Sequence, residues 1–355
     1  MELLSIKDLL KNAVDEKASD IHLTVGVPPM IRVHGQLKPT EADNLVPEDT
    51  EEYVRQVLDE KQRQLLAEHG EWDLSFYMPG VARFRVNAYR QRGSYALAIR
   101  VVNINPPSLD GLGFPPSLKE LSMKPRGLIL VTGPTGSGKS TTLAAMVNYI
   151  NQNRRCHIIT LEDPIEYLHK HDKSVVNQRE IGSDSKTFAN ALRAALREDP
   201  DVILVGEMRD METISTAITA AETGHLVMST LHTMSADQTI DRIIDTFPSY
   251  QQSQIKTQLA AVLEGIIAQQ LIPLKSNDGR VAALEILLAN SAIRNLIREG
   301  RTHQIQTSIQ TGMRTGMRSM DFSLAELVRR GSITNESAMD RAMDPEMLRQ
   351  HLRMS

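Results

Sequence analysis

The chain has 355 residues, more than one hydrophobic core usually supports, so its length predicts two domains. Hydrophobic residues make up 41% and charged residues 24%, which excludes an intrinsically disordered chain. The 40 basic and 44 acidic side chains give a net charge of −4, which argues against a protein that mainly neutralises nucleic-acid phosphates. The single cysteine, Cys156, excludes an intramolecular disulfide and a four-cysteine zinc site.

Patterns for secretion and for membrane insertion are missing from the sequence. The opening residues lack the basic and apolar regions of a signal peptide. No apolar run approaches the roughly 18 residues that indicate a membrane span. We therefore expect a cytoplasmic protein that contacts any membrane complex through partners.

Short helices and alternating strands are predicted for the first hundred residues. Turn signals separate three runs that read as an antiparallel meander. The segment 103–116 is rich in proline and glycine and is the best linker candidate. We expect an α+β domain at 1–102, with helices at 6–16 and 47–68 and strands at 20–25, 30–34, 72–77, 82–90 and 94–102.

Buried apolar strands alternate with helices after the linker. Such continuous apolar runs are typical of a parallel sheet covered on both faces. The sequence therefore predicts an α/β domain at 117–355, with strands at 127–131, 157–161, 202–205 and 226–229. From about residue 249 we expect mostly helices, interrupted by a hairpin around Asn277, Asp278 and Gly279.

The segment 133–140 fits the phosphate-binding pattern G-x-x-x-x-G-K-[ST] between an apolar strand and a helix. Its glycines let backbone N–H groups turn towards phosphate oxygens at the positive end of the helix. Lys139 would supply charge to the β and γ phosphates, and the Ser140 hydroxyl would ligate Mg²⁺. The sequence therefore predicts a site for Mg-ATP.

Two groups of carboxylates follow strands that we expect beside this loop. Glu207 ends an apolar strand, although Gly206 stands where many P-loop proteins have aspartate. Glu162, Asp163 and Glu166 follow another strand. Phosphoryl transfer needs one carboxylate for the metal and a group that orients the attacking water, and both groups are candidates.

His225 and His232 bracket a predicted strand. Their odd spacing would turn them to opposite faces of one strand, so they make a poor metal pair. One or both could sense the γ phosphate, and the alternative is that both are structural histidines.

Arginines alternate with apolar residues on one strand of the first domain. Phe84 and Val86 should face a core, whereas Arg83 and Arg85 share the opposite face. These arginines either form a solvated face or reach the nucleotide of a neighbouring subunit, where such a group can raise the rate by roughly 10³ to 10⁵. Arg100, on the next strand, is a third candidate.

At these residues the sequence resembles the type IV pilus retraction ATPases, the PilT family of secretion-type ATPases. Four boxes match: 133–141, 160–166, 205–207 and 223–232. The resemblance implies that Glu166 is the catalytic carboxylate and that Glu207 serves Mg²⁺. The nucleotide-binding residues that it implies are Gly133, Pro134, Thr135, Gly136, Ser137, Gly138, Lys139, Ser140 and Thr141.

The resemblance also implies a PAS-like first domain and a RecA-like second domain. It implies a homo-hexameric ring with ATP between subunits, held at the inner membrane by a pilus platform protein. A paralogous ATPase is a further candidate partner, and no direct nucleic-acid contact is expected.

A helix that the family uses for retraction matches residues 292–299, and 309–312 with 316–321 match a later motif. Periodicity alone would place Ile293, Leu296 and Ile297 on a core-facing stripe and Arg294 outside. Met313 to Thr315 departs from the family, which more often shows a second glycine there.

Extension and type II secretion ATPases usually carry an extra N-terminal domain and a four-cysteine insertion. This sequence shows neither, so retraction is the favoured function.

Two other classes of protein compete with a retraction motor. A nucleic-acid translocase would favour a basic groove with aromatic platforms, which the acidic charge and 4% aromatic residues do not suggest. A non-motor accessory paralogue is disfavoured by the intact Lys139, Glu166 and Glu207.

Overall fold

The computed structural model of the chain describes residues 4–33, 35–102, 106–276 and 278–353. These residues form two compact units. The first comprises the described residues up to 102 together with 166–168, and the second comprises the remainder from 106 onwards. Three features predicted above lie partly outside the described residues: His34 of the second strand, 103–105 of the linker, and Asn277 of the hairpin.

The first unit is an antiparallel sheet with helices. Its strands lie in the order β3-β2-β1-β6-β5-β4, and each neighbouring pair is antiparallel. This arrangement confirms the predicted α+β fold and the meander. The elements are α1 (Ile6–Asp15), β1 (Asp20–Leu23), β2 (Met30–Val33), β3 (Gln36–Pro39), α2 (Pro47–Val57), α3 (Glu60–His69), β4 (Glu71–Met78), β5 (Ala82–Gln91) and β6 (Ser94–Val102).

The single helix predicted for residues 47–68 is wrong, because the chain forms α2 and α3 there. Asp59 has an extended backbone and begins α3 with a capping box. Its carboxylate accepts a hydrogen bond from the Gln62 N–H at 2.8 Å, and the Gln62 side chain accepts one from the Asp59 N–H at 3.0 Å. The reciprocal bonds satisfy N–H groups that a new helix leaves unpaired, so they favour a second start.

The second unit is built on a sheet in the order β13-β12-β7-β11-β10-β8-β9. All neighbouring pairs are parallel except β12 with β13. The elements up to β11 are α4 (Pro116–Ser122), β7 (Gly127–Thr132), α5 (Lys139–Asn153), β8 (His157–Glu162), β9 (Val175–Glu180), α6 (Phe188–Ala195), β10 (Val202–Val205), α7 (Met211–Glu222) and β11 (Leu226–Leu231). Every residue of β7, β10 and β11 is buried, which confirms the predicted parallel sheet.

The region after residue 249 contains two long strands and is less helical than predicted. β12 has 11 residues and pairs with β7, so it extends the central sheet. A Cβ at Gly265 would lie 2.8 Å from Leu121 Cδ2, which explains a glycine at the point where the pairing register shifts. The elements are α8 (Ala236–Asp245), α9 (Ser249–Val262), β12 (Leu263–Pro273), β13 (Arg280–Leu288), α10 (Ser291–Glu299), α11 (Ile305–Thr311), α12 (Met320–Arg329), α13 (Asn335–Met339) and α14 (Pro345–Arg353), with 3₁₀ turns at Thr302–Gln304 and Met313–Thr315.

Within the ranges described above, the structure contains no helix with the length and apolar character that a membrane span requires.

Candidate functional site

The segment that joins β7 to α5 has the geometry of a phosphate-binding loop. Gly133, Gly136 and Gly138 have φ values of +143°, +79° and +86°, which L-residues rarely adopt. The loop therefore curls over the first turn of α5, where unpaired N–H groups favour an anion. Lys139 Nζ donates to the carbonyl oxygens of Gly133 and Pro134 at 2.9 and 3.0 Å. All nine residues predicted to bind nucleotide, 133–141, lie in this loop or at the start of α5.

Glu207 and His232 meet at the carboxyl edge of the sheet. Their strands, β10 and β11, are parallel neighbours, and each residue follows its strand end closely. His232 Nε2 lies 3.7 Å from Glu207 Oε2, and Arg209 Nε lies 2.9 Å from Glu207 Oε1. The three side chains line a cavity of 420 Å³ that Arg242 also lines. Arg209 and Arg242 were missed by sequence reasoning, because nothing local distinguishes them from surface arginines.

Gly206 is explained by the close approach of β10 and β8. A Cβ at this position would lie 3.1 Å from the Leu161 carbonyl oxygen and 3.4 Å from Glu162 Cα. The Gly206 N–H donates to that same carbonyl at 2.7 Å. A side chain at this position would require its neighbours to move by a few tenths of an ångström, so the close packing disfavours an aspartate there. Glu207 is the next residue.

Of the three carboxylates at the end of β8 and in the loop after it, one is hydrogen-bonded to neighbouring side chains and two are exposed. Glu162 Oε1 accepts from Thr160 Oγ1 at 2.6 Å and from Gln178 Nε2 at 3.1 Å. Asp163 and Glu166 are exposed. Glu162 is therefore held by its neighbours, whereas the other two face solvent and can approach a water molecule.

The loop that carries Glu166 is anchored next to it. Ile165 is buried, and its N–H donates to Glu180 Oε2 at 3.1 Å. Glu180, on β9, is itself buried, and its N–H donates to Asp184 Oδ2 at 2.8 Å. This anchor fixes the backbone immediately before Glu166.

The structure does not bring His225 to the site. His225 precedes β11 and His232 follows it, so the two histidines lie at opposite ends of one strand. The His225 carbonyl accepts from the N–H of Gly127, the first residue of β7, which is the end opposite the phosphate-binding loop. Its Nδ1 lies 2.9 Å from the Ala220 carbonyl oxygen of α7. Within one subunit His225 therefore lies away from the phosphate-binding loop, with its ring at the end of α7, and a sensing role for His225 stays a prediction.

The arginine strand of the first unit has the predicted alternation. Phe84 and Val86 are fully buried, Arg83 is partly exposed and Arg85 is exposed. Arg85 is paired across the sheet with Arg100, whose Nε contacts Asp20 Oδ1 at 2.9 Å. The solvent-facing side of β5 and β6 is therefore cationic, with Arg100 already in an ion pair.

Asp20 keeps its charge within this cationic face. Burial is the largest single influence and would raise the pKa of Asp20. The hydrogen bonds from Arg100 and Ser19, together with the nearby positive charge, outweigh burial and lower the pKa below its ordinary value.

One arginine of α10, which periodicity predicts to lie on the solvent-facing side, is bound to a neighbouring helix. Ile293 and Ile297 are buried as predicted, but Arg294 is not a free surface residue. It donates to the carbonyl oxygens of Ala260 and Ala261, both at 2.7 Å, and pairs with Glu264 at 2.9 Å. A cation suits the carbonyl-rich end of α9, so Arg294 fastens α10 to that helix.

A buried glutamate connects the helix after His232 to β13. Glu285 is 1% exposed, and its Oε1 accepts from the N–H of Ala236, the first residue of α8, at 2.8 Å. Gln306 of α11 donates to its Oε2 at 3.2 Å. Burial is the largest influence and raises the pKa of Glu285 to about 7, although these hydrogen bonds act in the opposite direction.

Glu285 is expected to make the protein less stable as the pH rises. Its ordinary pKa is 4.5, so between pH 4.5 and 7 the folded state holds a proton that the unfolded state has lost. The contribution of Glu285 to stability should therefore be largest below about pH 4.5 and should fall until about pH 7. This loss in the free energy of unfolding is on the order of 3 kcal/mol, and Glu285→Gln should remove most of it. The measurement is urea unfolding at pH 5 and pH 8 at one protein concentration.

The exposed Glu120 of α4 provides the control for this prediction. Glu120→Gln should keep the pH profile of the wild type. Identical pH dependence in the wild type and Glu285→Gln would show that Glu285 does not hold a proton in the fold.

The oxygen donors of the site suit Mg²⁺. Magnesium is usually bound by one or two protein oxygens and by phosphate and water oxygens. Ser140, at the start of α5, and Glu207 offer a hydroxyl and a carboxylate of this kind. Among residues 4–33, 35–102, 106–276 and 278–353, no group of three or more His, Cys, Asp or Glu could hold a metal by itself.

The fold and the loop define a P-loop ATPase of the α/β class. Residues 2–339 match the family model described as Type II/IV secretion system protein. The type IV pilus retraction ATPase PilT of Pseudomonas aeruginosa is 48% identical over 343 residues, which cover 97% of this chain and 99% of that protein. A twitching motility protein of Neisseria gonorrhoeae is 47% identical over 344 residues, covering 97% and 92% of the two chains.

A crystal structure of the pilus retraction motor PilT with bound ADP has a TM-score of 0.91 to this chain. The two chains are 52% identical, and the match covers 98% of this one and 99% of that one. The chain belongs to the Type II/IV secretion system protein family and, within it, to the PilT group of ATPases.

Proposed function

We propose that the protein is a motor that hydrolyses Mg-ATP in a ring of six subunits and retracts type IV pili. The observation that carries this proposal is the similarity to the PilT retraction ATPase over nearly the full length of both chains. The complete phosphate-binding loop and the exposed Glu166 support a working enzyme over an inactive accessory subunit.

The side chains have separate roles in the proposed reaction. The start of α5 and Lys139 bind the phosphates of ATP and offset the charge that develops on them. Ser140 and Glu207 would hold Mg²⁺, which would supply positive charge against the phosphate oxygens when bound. Glu166 orients the attacking water and accepts its proton. His232, beside Glu207, would donate a hydrogen bond to the γ phosphate and respond when that phosphate leaves.

Arg83 and Arg85 complete the proposed site from a neighbouring subunit. They lie on the first unit, and in a ring with ATP between subunits their guanidinium groups would face the phosphates of the next chain. Such a group adds positive charge where the transition state needs it. The work of the ring would be passed to an inner-membrane platform protein at the base of the pilus.

Host cells that lack this protein are expected to carry more surface pili and to lose surface motility, because pili would extend without being withdrawn. The measurement is a count of pili per cell by electron microscopy, together with surface spreading. A plasmid copy of the gene should restore both. Cells without pili would indicate an extension motor, and unchanged cells would contradict a role in pilus dynamics.

A further inference from the structure

Gln269 is a buried glutamine beside the phosphate-binding loop. It lies on β12 and is 2% exposed. Its neighbour Ala268 pairs with Thr132, the last residue of β7, so β12 passes the point where the loop begins. A buried amide is costly unless both its donor and its acceptor find partners. The partners of Gln269 therefore indicate why an apolar strand carries it.

The nitrogen and the oxygen of the Gln269 side chain bind residues on either side of the segment that contains Lys139 and Ser140. Nε2 donates to the Ser137 carbonyl oxygen at 2.6 Å, just before the segment. Thr142 Oγ1 donates to Oε1 at 2.6 Å, just after it. A carbonyl oxygen can only accept, so the nitrogen of the amide must face Ser137. The side chain thus spans the segment and fixes it from both ends.

The glycines of the loop are fitted to the same residue. A Cβ at Gly133 would lie 2.2 Å from the Gln269 carbonyl oxygen. A Cβ at Gly138 would lie 2.8 Å from Gln269 Nε2. Neither position has room for a methyl group, so the loop rests directly on Gln269 at its first and last glycines. These two glycines therefore have a packing reason in addition to their positive φ values.

We propose that Gln269 is a positioning residue that holds the phosphate-binding loop in the shape that receives the phosphates of ATP. It acts through the backbone of Ser137 and the hydroxyl of Thr142 and does not itself touch the nucleotide. The inference rests on the proposed ATP site but not on the role in pilus retraction. Without these two hydrogen bonds, nucleotide binding would have to order the loop, and the affinity for the nucleotide would fall.

Gln269→Met keeps the length of the side chain and removes both hydrogen bonds. We expect it to raise the KM for ATP and the dissociation constant for ADP about tenfold, since each bond is worth up to about a factor of ten. The kcat at saturating ATP should change less than threefold, because bound nucleotide can still order the loop. Gln269→Glu should raise KM further, because one carboxylate oxygen would oppose the Ser137 carbonyl and its charge would lie near the phosphates.

Gln270 provides a matched control on the same strand. It is 5% exposed and its side chain points to the opposite face of β12. Gln270→Met should keep the KM of the wild type. A thermal unfolding curve gives the temperature range in which each variant is folded, and KM is measured within that range. A merely structural role would lower the unfolding temperature of Gln269→Met and leave KM unchanged, which would overturn the proposal.

Lys139→Ala separates this inference from the ATP site itself. If Lys139→Ala loses nucleotide affinity while Gln269→Met keeps it, the site stands and the role of Gln269 is refuted. If neither change affects affinity, the ATP site is wrong as well. If Gln269→Glu does not fold, the comparison of Gln269→Met with Gln270→Met still decides the question.

Discussion

Replacing Glu166 by glutamine is expected to lower the kcat of ATP hydrolysis by roughly 10²- to 10⁴-fold, the usual contribution of a general base. Glutamine has nearly the same shape but cannot accept the proton of the attacking water. The dissociation constant for ATP should stay within about threefold of the wild type, because the phosphates are bound by the loop and α5. The measurement combines steady-state phosphate release with equilibrium binding of a fluorescent ATP analogue.

Asp163 provides the control for Glu166, since it is an exposed carboxylate on the same loop. Asp163→Asn should retain most of the activity, as the chain holds Ile165, and not Asp163, against Glu180. If Glu166→Gln hydrolyses ATP as fast as the wild type, Glu166 is not the base. An equal loss in both variants would point to the charge of the loop and not to one carboxylate.

Lys139→Ala is expected to lower kcat/KM for ATP by roughly 10²- to 10³-fold, which is the typical cost of removing one preorganised charge stabiliser. Unlike the Glu166 variant, it should also weaken the binding of both ATP and ADP. The lysine also donates to the Gly133 and Pro134 carbonyls, so its loss frees the loop as well as removing charge. Titration with each nucleotide and steady-state kinetics measure the two effects.

The exposed Lys186 belongs to the same unit and is the control for a general loss of positive charge. Lys186→Ala should behave as the wild type in both assays. Unchanged nucleotide binding by Lys139→Ala would mean that the loop does not hold phosphates in the predicted manner.

Local patterns in the sequence predicted the nucleotide loop well. The spacing from Gly133 to Ser140 follows from backbone conformations and a helix terminus, and both are decided within a few residues. The four predicted strands of the parallel sheet were also found, because complete burial leaves a continuous apolar run. Burial of this kind needs no knowledge of which strands become neighbours.

Features that depend on distant partners could not be predicted. The hairpin formed by β12 and β13 was predicted, but the length of β12 and its pairing with β7 were not, because Gln269 and Gln270 interrupt its apolar run. Gln269 is tolerated there because its partners lie 127 and 132 residues away in the sequence. Arg294 was placed on the surface because its partner carbonyls belong to another helix. Sequence periodicity reports the face of a helix but not the atoms opposite it.

The position of His225 could have been predicted from strand length. The six residues of β11 separate it from His232, a span of roughly 20 Å, which is too long for both side chains to meet one phosphate within a subunit. The odd spacing predicts only which faces of the strand the two histidines occupy, whereas the distance along the strand decides whether both can reach one phosphate.

In the proposed mechanism, hydrolysis of ATP at this site drives pilus retraction. The most direct test replaces the wild-type gene in its host with one encoding Glu166→Gln and counts surface pili while following surface motility. The proposed mechanism predicts abundant pili and no motility, as in cells without the protein, and normal protein levels. Normal motility with Glu166→Gln would contradict it, because retraction would then proceed without the carboxylate that activates water.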